Sequence, residues 1–197
     1  MSDARTMKAY ADAAERYAAG FARKKDVDQA EDMAGFLALI PPGGRILDMG
    51  CGPGHWAATF RDEGYDVTAT DASPEMADVA RETFGVDVHV EPFDALEAQA
   101  EFHGIWCNFS LLHLPRADFL PHLRRILRAL KSRGALHLGM KIGAGEARDT
   151  LGRFYTYYTE KELKERLAEA GFTVTQTRRG NGEGLAGGVE TFVILTA

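Results

Sequence analysis

Residues 46–54 have the sequence Ile-Leu-Asp-Met-Gly-Cys-Gly-Pro-Gly, and this stretch decides the fold. Its apolar start is typical of a buried strand, and its glycine-rich end is typical of a tight turn. A helical pattern follows over 55–63 and ends at Gly64. Glycine permits a positive φ and close approach of a ligand, and a helix that begins there presents free N–H groups. The D-x-G-x-G-x-G spacing differs from the G-x-G-x-x-G of dinucleotide-binding folds.

A second acid, Asp71, ends the next predicted strand, roughly 20 residues beyond the glycine loop, where doubly wound folds hold a ribose with a carboxylate. An acid at a strand end is also a common helix cap, and a lone glycine loop is often only a turn. Because the two features occur in register, they together indicate a site for a ligand that contains adenosine.

Strand and helix patterns alternate along the rest of the chain. Strands are predicted over 45–49, 66–70, 86–90, 104–109 and 135–140, and helices over 4–19, 27–39, 55–63, 74–84, 116–130 and 160–170. This alternation predicts an α/β fold with a doubly wound, mostly parallel sheet covered by helices on both faces. The tail differs, because strands over 172–177 and 189–195 joined by a loop over 178–188 predict a C-terminal antiparallel hairpin.

Composition limits the class of protein. A chain of 197 residues with 45% hydrophobic and 26% charged residues fits one globular domain over 1–197, with a core over 45–197. A net charge of −6 with scattered basic residues argues against nucleic acid. Cys51 and Cys107 fall in predicted buried strands or at their ends, which suits reduced thiols. With no long apolar run, a cytoplasmic protein without membrane attachment is expected. No metal is expected, because no His or Cys pair has ligand spacing.

At these residues the chain resembles the class I S-adenosylmethionine-dependent methyltransferases over nearly its whole length. The matching stretches are 48–54, Asp71, 91–95 and 104–114. The resemblance implies a Rossmann-like seven-stranded sheet and S-adenosyl-L-methionine as cofactor. Residues 71–76 and 110–115 resemble the small-molecule branch, including tellurite-resistance-like proteins. The chain departs from many relatives at 132–134, which read Ser-Arg-Gly in place of Pro-Gly-Gly.

The resemblance also implies a cofactor site formed by Asp48, Gly50, Gly52, Gly54, Asp71, Ala72, Met76, Asp94 and Asn108. The glycines are expected to leave room for the methionine part of the cofactor, and Asp48 to place its amino group. Asp71 is expected to hold the ribose, with Met76 and Asp94 at the adenine. The main chain of Asn108 is expected beside the methionine end.

Methyl transfer from a sulfonium is an in-line displacement, so the protein must align the acceptor and exclude water. Residues 1–40, with Tyr10, Tyr17 and Phe21, are a candidate lid, although these aromatic residues could equally pack a helix onto the sheet. Trp56 is either a cation–π partner of the sulfonium or a core residue.

The acceptor is expected at the carboxyl ends of the fourth and fifth strands. Residues with suitable side chains there are His113, Lys141, Arg148, Arg153, Tyr155, Tyr157 and Tyr158. They favour a small-molecule acceptor with an anionic or aromatic part, although a solvated loop would have the same composition. His113 is the candidate catalytic residue, either removing a proton or orienting the nucleophile, and its alternative role is to cap or pack the next helix.

Two other functions remain open. Tyr157 and Lys161 match the Tyr-x-x-x-Lys motif of nicotinamide-dependent reductases, but Thr159 is predicted to begin the next helix between them. A protein that binds S-adenosylmethionine without catalysis is the second alternative, because the cofactor motifs are clearer than the acceptor chemistry.

Overall fold

A computed structural model describes residues 3–13, 29–184 and 186–197, except the side chain of Glu183. Its main feature is a seven-stranded sheet with the strand order β3-β2-β1-β4-β5-β9-β8. The strands are β1 (Arg45–Met49), β2 (Asp66–Asp71), β3 (Val88–Val90), β4 (Phe102–Asn108), β5 (Leu130–Lys141), β8 (Gln176–Glu183) and β9 (Val189–Thr196). The first five are parallel, and β9 is antiparallel to both β5 and β8.

Six described helices accompany the sheet: α1 (Ala4–Ala11), α2 (Ala30–Leu37), α3 (His55–Asp62), α4 (Pro74–Phe84), α5 (Arg116–Ala129) and α6 (Glu160–Ala170). Neighbouring residues of β1 point to opposite faces, as strand geometry requires. Leu47 belongs to the cluster that α5 and α6 cover, and Ile46 belongs to the cluster that α2 and α3 cover. The predicted α/β fold with helices on both faces is confirmed.

The strand order reverses at β1, which pairs with β2 on one side and with β4 on the other. In open α/β sheets, ligands bind in the crevice outside the carboxyl ends of strands at such a switch point. Gly50 follows the last residue of β1 directly, so the fold places the glycine loop in this crevice.

Local signals at the helix ends are confirmed. The Ser73 side chain caps α4 by accepting the Met76 N–H at 3.2 Å, and Gly85 ends that helix with a φ of 62°. Thr159 begins α6 with a capping box that Glu162 completes. The side-chain oxygen of each cap accepts an N–H that has no partner within the helix.

The prediction for the C-terminal hairpin is right in topology and wrong in its first strand. Residues 172–175 precede β8, which extends over Gln176–Glu183 into the predicted loop. β9 supplies hydrogen-bonding partners along this whole segment, so strand pairing outweighs the turn preference of its glycines. The predicted helices over 4–19 and 27–39 include residues 14–28, which lie outside the described part of the chain.

A second, two-stranded sheet was not predicted. β6 (Gly145–Arg148) pairs antiparallel with β7 (Phe154–Tyr157) in the segment that follows β5. β7 consists of residues that favour strands, but β6 has none, and no short turn motif joins the two, so a hairpin was not expected.

Candidate functional site

The glycine loop has the backbone that the sequence predicts. Gly50, Gly52 and Gly54 have φ values of 73°, 54° and 79°, in the left-handed region that favours glycine. The Gly50 and Cys51 N–H groups donate to the Thr70 carbonyl at 2.8 and 2.9 Å, which ties the loop to the end of β2. A Cβ atom on Gly50 would overlap the Cβ of Ser110, so glycine is required there for space as well as for conformation.

Asp71 lies at the end of β2 and holds the glycine loop. Its Oδ2 accepts the Gly52 N–H at 2.8 Å and its Oδ1 accepts the Ser73 N–H at 2.9 Å. Burial raises the pKa of Asp71, while hydrogen bonds from the Ser73, Gly52 and Ala72 backbones act in the opposite direction. The two predicted motifs therefore form one site in the structure.

Asp48 lies below the loop, in β1, and is buried. Within the described part of the chain, no group donates a hydrogen bond to its Oδ2 atom. Burial raises the pKa of Asp48 to about 8, against the opposing hydrogen bond from the Ala57 backbone in the first turn of α3. A buried carboxyl oxygen without a donor is costly, and a ligand with N–H groups would remove that cost.

The remaining predicted cofactor residues differ in their surroundings. Met76 is buried in α4, whereas Asp94 is exposed in a short 3₁₀ turn over Phe93–Ala95. The Asn108 side chain forms reciprocal hydrogen bonds with Gln29 at 3.0 and 3.1 Å, and its Oδ1 also lies 3.2 Å from His137 Nε2. The polar atoms of the Asn108 side chain are therefore hydrogen-bonded within the protein. This agrees with the resemblance, which implies that Asn108 contacts the cofactor through its main chain.

Two further residues at the loop were missed by sequence reasoning. The Ser110 hydroxyl donates to the Met49 carbonyl at 2.7 Å, linking the segment after β4 to the end of β1. Phe93 Cε1 would lie 3.1 Å from a Cβ atom on Gly50, so its ring borders the loop. Phe93 lies in the matched stretch 91–95 and Ser110 in the stretch 104–114, but nothing in the sequence indicates these contacts.

His113 lies beyond β4, between α1 and β7. Its Nδ1 lies 2.6 Å from the Phe154 carbonyl oxygen, and its Nε2 lies 2.8 Å from the Tyr10 hydroxyl. A carbonyl can only accept, so Nδ1 carries the proton and Nε2 accepts the Tyr10 O–H. Burial lowers the pKa of His113 to about 4, so the ring is neutral at pH 7. Both ring nitrogens have partners in this arrangement.

Two of the basic residues predicted at the acceptor site, Arg153 and Lys141, lie near His113, and each is paired with an acid. Arg153 contacts Asp149, with Nε 2.8 Å and Nη2 2.7 Å from Asp149 Oδ2. Lys141 Nζ lies 2.6 Å from Glu190 and 4.0 Å from the centre of the Tyr155 ring.

Arg153 also lies beside two aromatic rings, 5.3 Å from the centre of Tyr10 and 5.2 Å from that of Tyr155. The Tyr155 and Tyr157 rings stack at 5.9 Å. Tyr158 lies elsewhere, packed on Phe119 at 4.8 Å in the core.

Three residues on one side of α1 attach it to the β6–β7 hairpin. Arg148 donates to both Asp3 carboxylate oxygens at 2.8 and 2.9 Å, and Thr6 Oγ1 accepts the Phe154 N–H at 2.8 Å. Tyr10 completes the set through His113. The helix also lies against α4, so it contacts both the helix that follows Asp71 and the hairpin near His113. Residues 3, 6 and 10 are three and four positions apart, a spacing that places them on the same side of a helix, and this spacing was the sequence signal for the contact. Tyr17 and Phe21 lie outside the described residues.

The structure shows the surroundings of Trp56 and of the Tyr157–Lys161 pair, for which the sequence left alternative roles open. Trp56 is buried, with its ring centre 5.1 Å from that of Trp106, so it packs within an aromatic cluster. Lys161 is 86% exposed on α6 and pairs with Glu165, while Tyr157 belongs to β7, so this pair forms no reductase site.

Cys51 and Cys107 are free, buried thiols. Over residues 3–13, 29–184 and 186–197, no three His, Cys, Asp or Glu side chains converge in a way that could hold a metal ion. No helix in this part of the chain is long and apolar enough to cross a membrane.

Comparison with known proteins identifies the family. A model of the methyltransferase domain matches residues 21–177, which is more than half of the chain. The chain therefore belongs to the methyltransferase domain family, and the predicted kinship with class I S-adenosylmethionine-dependent methyltransferases is confirmed.

A similar structure is that of the 1,6-didemethyltoxoflavin-N1-methyltransferase of Burkholderia thailandensis, with bound 1,6-didemethyltoxoflavin and S-adenosylhomocysteine. It is 25% identical, with a TM-score of 0.78 over 98% of this chain and 87% of that chain. A TehB-like S-adenosylmethionine-dependent methyltransferase of Corynebacterium glutamicum is 19% identical, with a TM-score of 0.71 over 96% of this chain and 97% of that one. At that identity the likeness shows the fold alone, so the tellurite-resistance-like branch stays a prediction.

Among curated proteins, the ubiquinone biosynthesis O-methyltransferase of Xanthomonas campestris pv. campestris (strain B100) is 36% identical. The match covers 49% of this chain and 43% of that relative, so the chain spans less than half the length of the relative.

Proposed function

We propose that this chain transfers a methyl group from S-adenosylmethionine to the oxygen or nitrogen of a small-molecule acceptor. The observation that carries this proposal is the convergence of Asp48 and Asp71 on a positive-φ glycine loop at the switch point of the sheet. The relatives named as an O-methyltransferase and an N1-methyltransferase support the reaction class.

The residues present fit the cofactor. The unpartnered Oδ2 of Asp48 suits the cationic amino group of the methionine part, which would draw the Asp48 carboxyl into its ionised form. Asp71 has the acceptor oxygens that ribose hydroxyls need, and the three glycines leave the main chain accessible. S-adenosylmethionine supplies the methyl group as an electrophilic sulfonium.

The acceptor site is proposed next to His113, below α1. Tyr10, Tyr155 and Tyr157 give it aromatic faces, and Arg153 and Lys141 have their charges compensated by Asp149 and Glu190. Of the two acceptor types expected from the sequence, an aromatic acceptor suits this arrangement better, because an anionic group would have to displace an existing carboxylate.

We infer that residues 1–40 serve as the lid of a single domain over 1–197. The attachment of α1 to the β6–β7 hairpin supports this role, because a helix there would keep water from the acceptor. A cytoplasmic location is proposed on separate grounds, namely two free thiols, which reducing compartments maintain.

Calorimetry and a methyl-transfer screen test the proposal. The chain should bind S-adenosylmethionine and S-adenosylhomocysteine but not NADPH. With radiolabelled methyl donor, it should label an acceptor from a panel of phenols, heteroaromatic N–H compounds, carboxylates, amines and thiols. Failure to bind the methyl donor would refute the proposal. Binding without transfer to any of these classes would favour the non-catalytic alternative.

A further inference from the structure

We propose that Tyr10 contacts the methyl acceptor and relays its proton to His113, a role that rests on the function proposed above. The observation behind it is the chain of contacts from Tyr10 through His113 to the Phe154 carbonyl, at 2.8 and 2.6 Å. An acceptor with an O–H or N–H group must lose a proton when it is methylated, so a methyltransferase for such acceptors needs an exit for that proton.

The two nitrogens of His113 determine the route. Nδ1 donates to the carbonyl of Phe154, and Nε2, the basic nitrogen, faces Tyr10. The Tyr10 hydroxyl already occupies the Nε2 position, so in this arrangement a proton that reaches Nε2 comes from Tyr10. His113 is therefore a positioning residue that acts through Tyr10.

The surroundings of Tyr10 suit a group at the boundary between cofactor and acceptor. Tyr10 is only partly buried, whereas Tyr155 beside it is 2% exposed. On one side of Tyr10 is Arg153, whose Nη1 lies 3.3 Å from the hydroxyl oxygen. Burial is the main cause that raises the pKa of Tyr10, and the charge of Asp71 at the cofactor loop raises it further. The long contact with Arg153 is a weak hydrogen bond that a better donor on the acceptor can replace.

The step is balanced in atoms and charge. The acceptor oxygen or nitrogen forms the bond to the methyl carbon while the carbon–sulfur bond breaks and its electron pair stays on sulfur. The acceptor proton passes to the Tyr10 oxygen, and the Tyr10 proton passes to His113 Nε2. The positive charge lost at sulfur thus reappears on the imidazolium. Loss of the sulfonium charge removes a repulsion that would otherwise oppose protonation of this histidine.

The groups that face His113 set the cost of that protonation. Burial is the main cause that lowers the pKa of His113, and the charges of Arg153 and Lys141 lower it further. The Phe154 carbonyl and the Asp149 carboxylate act in the opposite direction. The Asp149 and Glu190 carboxylates partly offset the two cations, since each pairs with one of them.

The test compares Tyr10→Phe with the unmodified chain on two acceptors. One is the acceptor found in the screen, and the other is its ring-nitrated analogue, chosen so that its O–H or N–H is ionised at the assay pH. The relay predicts that Tyr10→Phe lowers kcat by about 100-fold with the protonated acceptor and by less than about threefold with the ionised one. An equal loss with both acceptors, or no loss with either, overturns the relay.

Three variants separate the relay from packing. Thr6→Val removes the hydroxyl that accepts the Phe154 N–H but keeps the hydroxyl and ring nitrogens of the relay, and Tyr65→Phe is a matched loss of a hydroxyl beside the aromatic cluster. Neither should distinguish the two acceptors. Tyr155→Phe is the decisive comparison, because a distinction as large as that of Tyr10→Phe would mean that the proton enters at Tyr155 and would overturn the assignment to Tyr10.

A measurement without acceptor tests the geometry. The 15N resonance of His113 Nε2 should shift in Tyr10→Phe, since its hydrogen-bond donor is lost, and should stay unchanged in Tyr65→Phe. An unchanged resonance in Tyr10→Phe overturns the relay. Failure of the proposed function is seen separately, as loss of S-adenosylmethionine binding and methyl transfer in the unmodified chain.

Discussion

Replacing Asp71 by alanine should weaken cofactor binding and loosen the glycine loop at the same time. In the structure, the Asp71 carboxylate accepts the N–H groups of Gly52 and Ser73, at 2.8 and 2.9 Å. The alanine variant leaves both N–H groups without this acceptor and removes the oxygens proposed to hold the ribose. The sequence alone predicted only the weaker cofactor binding, because it did not show that Asp71 supports the loop.

The two effects have separate magnitudes. Hydrogen bonds to a charged group contribute about 1.5–3 kcal/mol. Loss of the ribose contact should therefore raise the Kd for S-adenosylmethionine by about 10- to 100-fold. The free energy of unfolding should fall by about 1–3 kcal/mol, because two loop N–H groups lose a buried partner.

Calorimetry with S-adenosylmethionine measures the first effect, and urea unfolding without ligand measures the second. Asp87→Ala is the matched control, because Asp87 is 96% exposed and its nearest cation, Arg81, is 3.6 Å away. A folded Asp71→Ala protein with a Kd within twofold of the unmodified chain would refute the assignment of Asp71 to the cofactor site. Unchanged stability would refute its support of the loop.

Three other changes have defined outcomes. Because burial raises the pKa of Asp48 to about 8, the free protein carries that proton at pH 7 and should release up to about one proton when the cofactor amine binds. The affinity for S-adenosylmethionine should therefore rise between pH 6 and about 7.5. Calorimetry in buffers of different ionisation enthalpy measures the released proton and should detect no such release in Asp48→Asn. His113→Asn should keep cofactor affinity while turnover falls by about 100-fold or more; turnover within a few-fold of the parent would leave His113 as a packing residue. Gly54→Ala should destabilise the fold by more than Gly64→Ala. Both glycines have a positive φ, but only a Cβ atom on Gly54 would meet another atom, Ala80 Cβ at 2.9 Å. Equal losses of the free energy of unfolding in urea would contradict this prediction.

The parts of the site that could be predicted are those built from contiguous sequence. The strand, glycine turn and helix around 46–64 follow from local rules, since positive φ and N–H exposure are properties of the segment itself. The place of Asp71 next to that loop follows from strand alternation, because parallel neighbours end at the same edge of a sheet.

The acceptor side could be predicted only as a collection of residues. His113 and Arg153 were expected near the carboxyl ends of the strands, but their partners Tyr10 and Asp149 were not identified. The partner of His113 lies 103 positions away in the sequence, and no local pattern specifies such a contact. Asp149 and Arg153 lie only four positions apart, but their pairing depends on the turn of a hairpin that was not predicted.

The sequence by itself determined the family, the α/β order and the cofactor loop, because each depends on short-range periodicity and on the conformational freedom of glycine. Only the tertiary structure decided which atoms of the acceptor site are available for chemistry. Contacts across the fold fix the tautomer of His113 and bring Tyr10 to its basic nitrogen, while the turn between β6 and β7 pairs Arg153 with Asp149. These properties depend on burial and on the contacts that the folded chain makes, because both determine the free energy of a buried polar group.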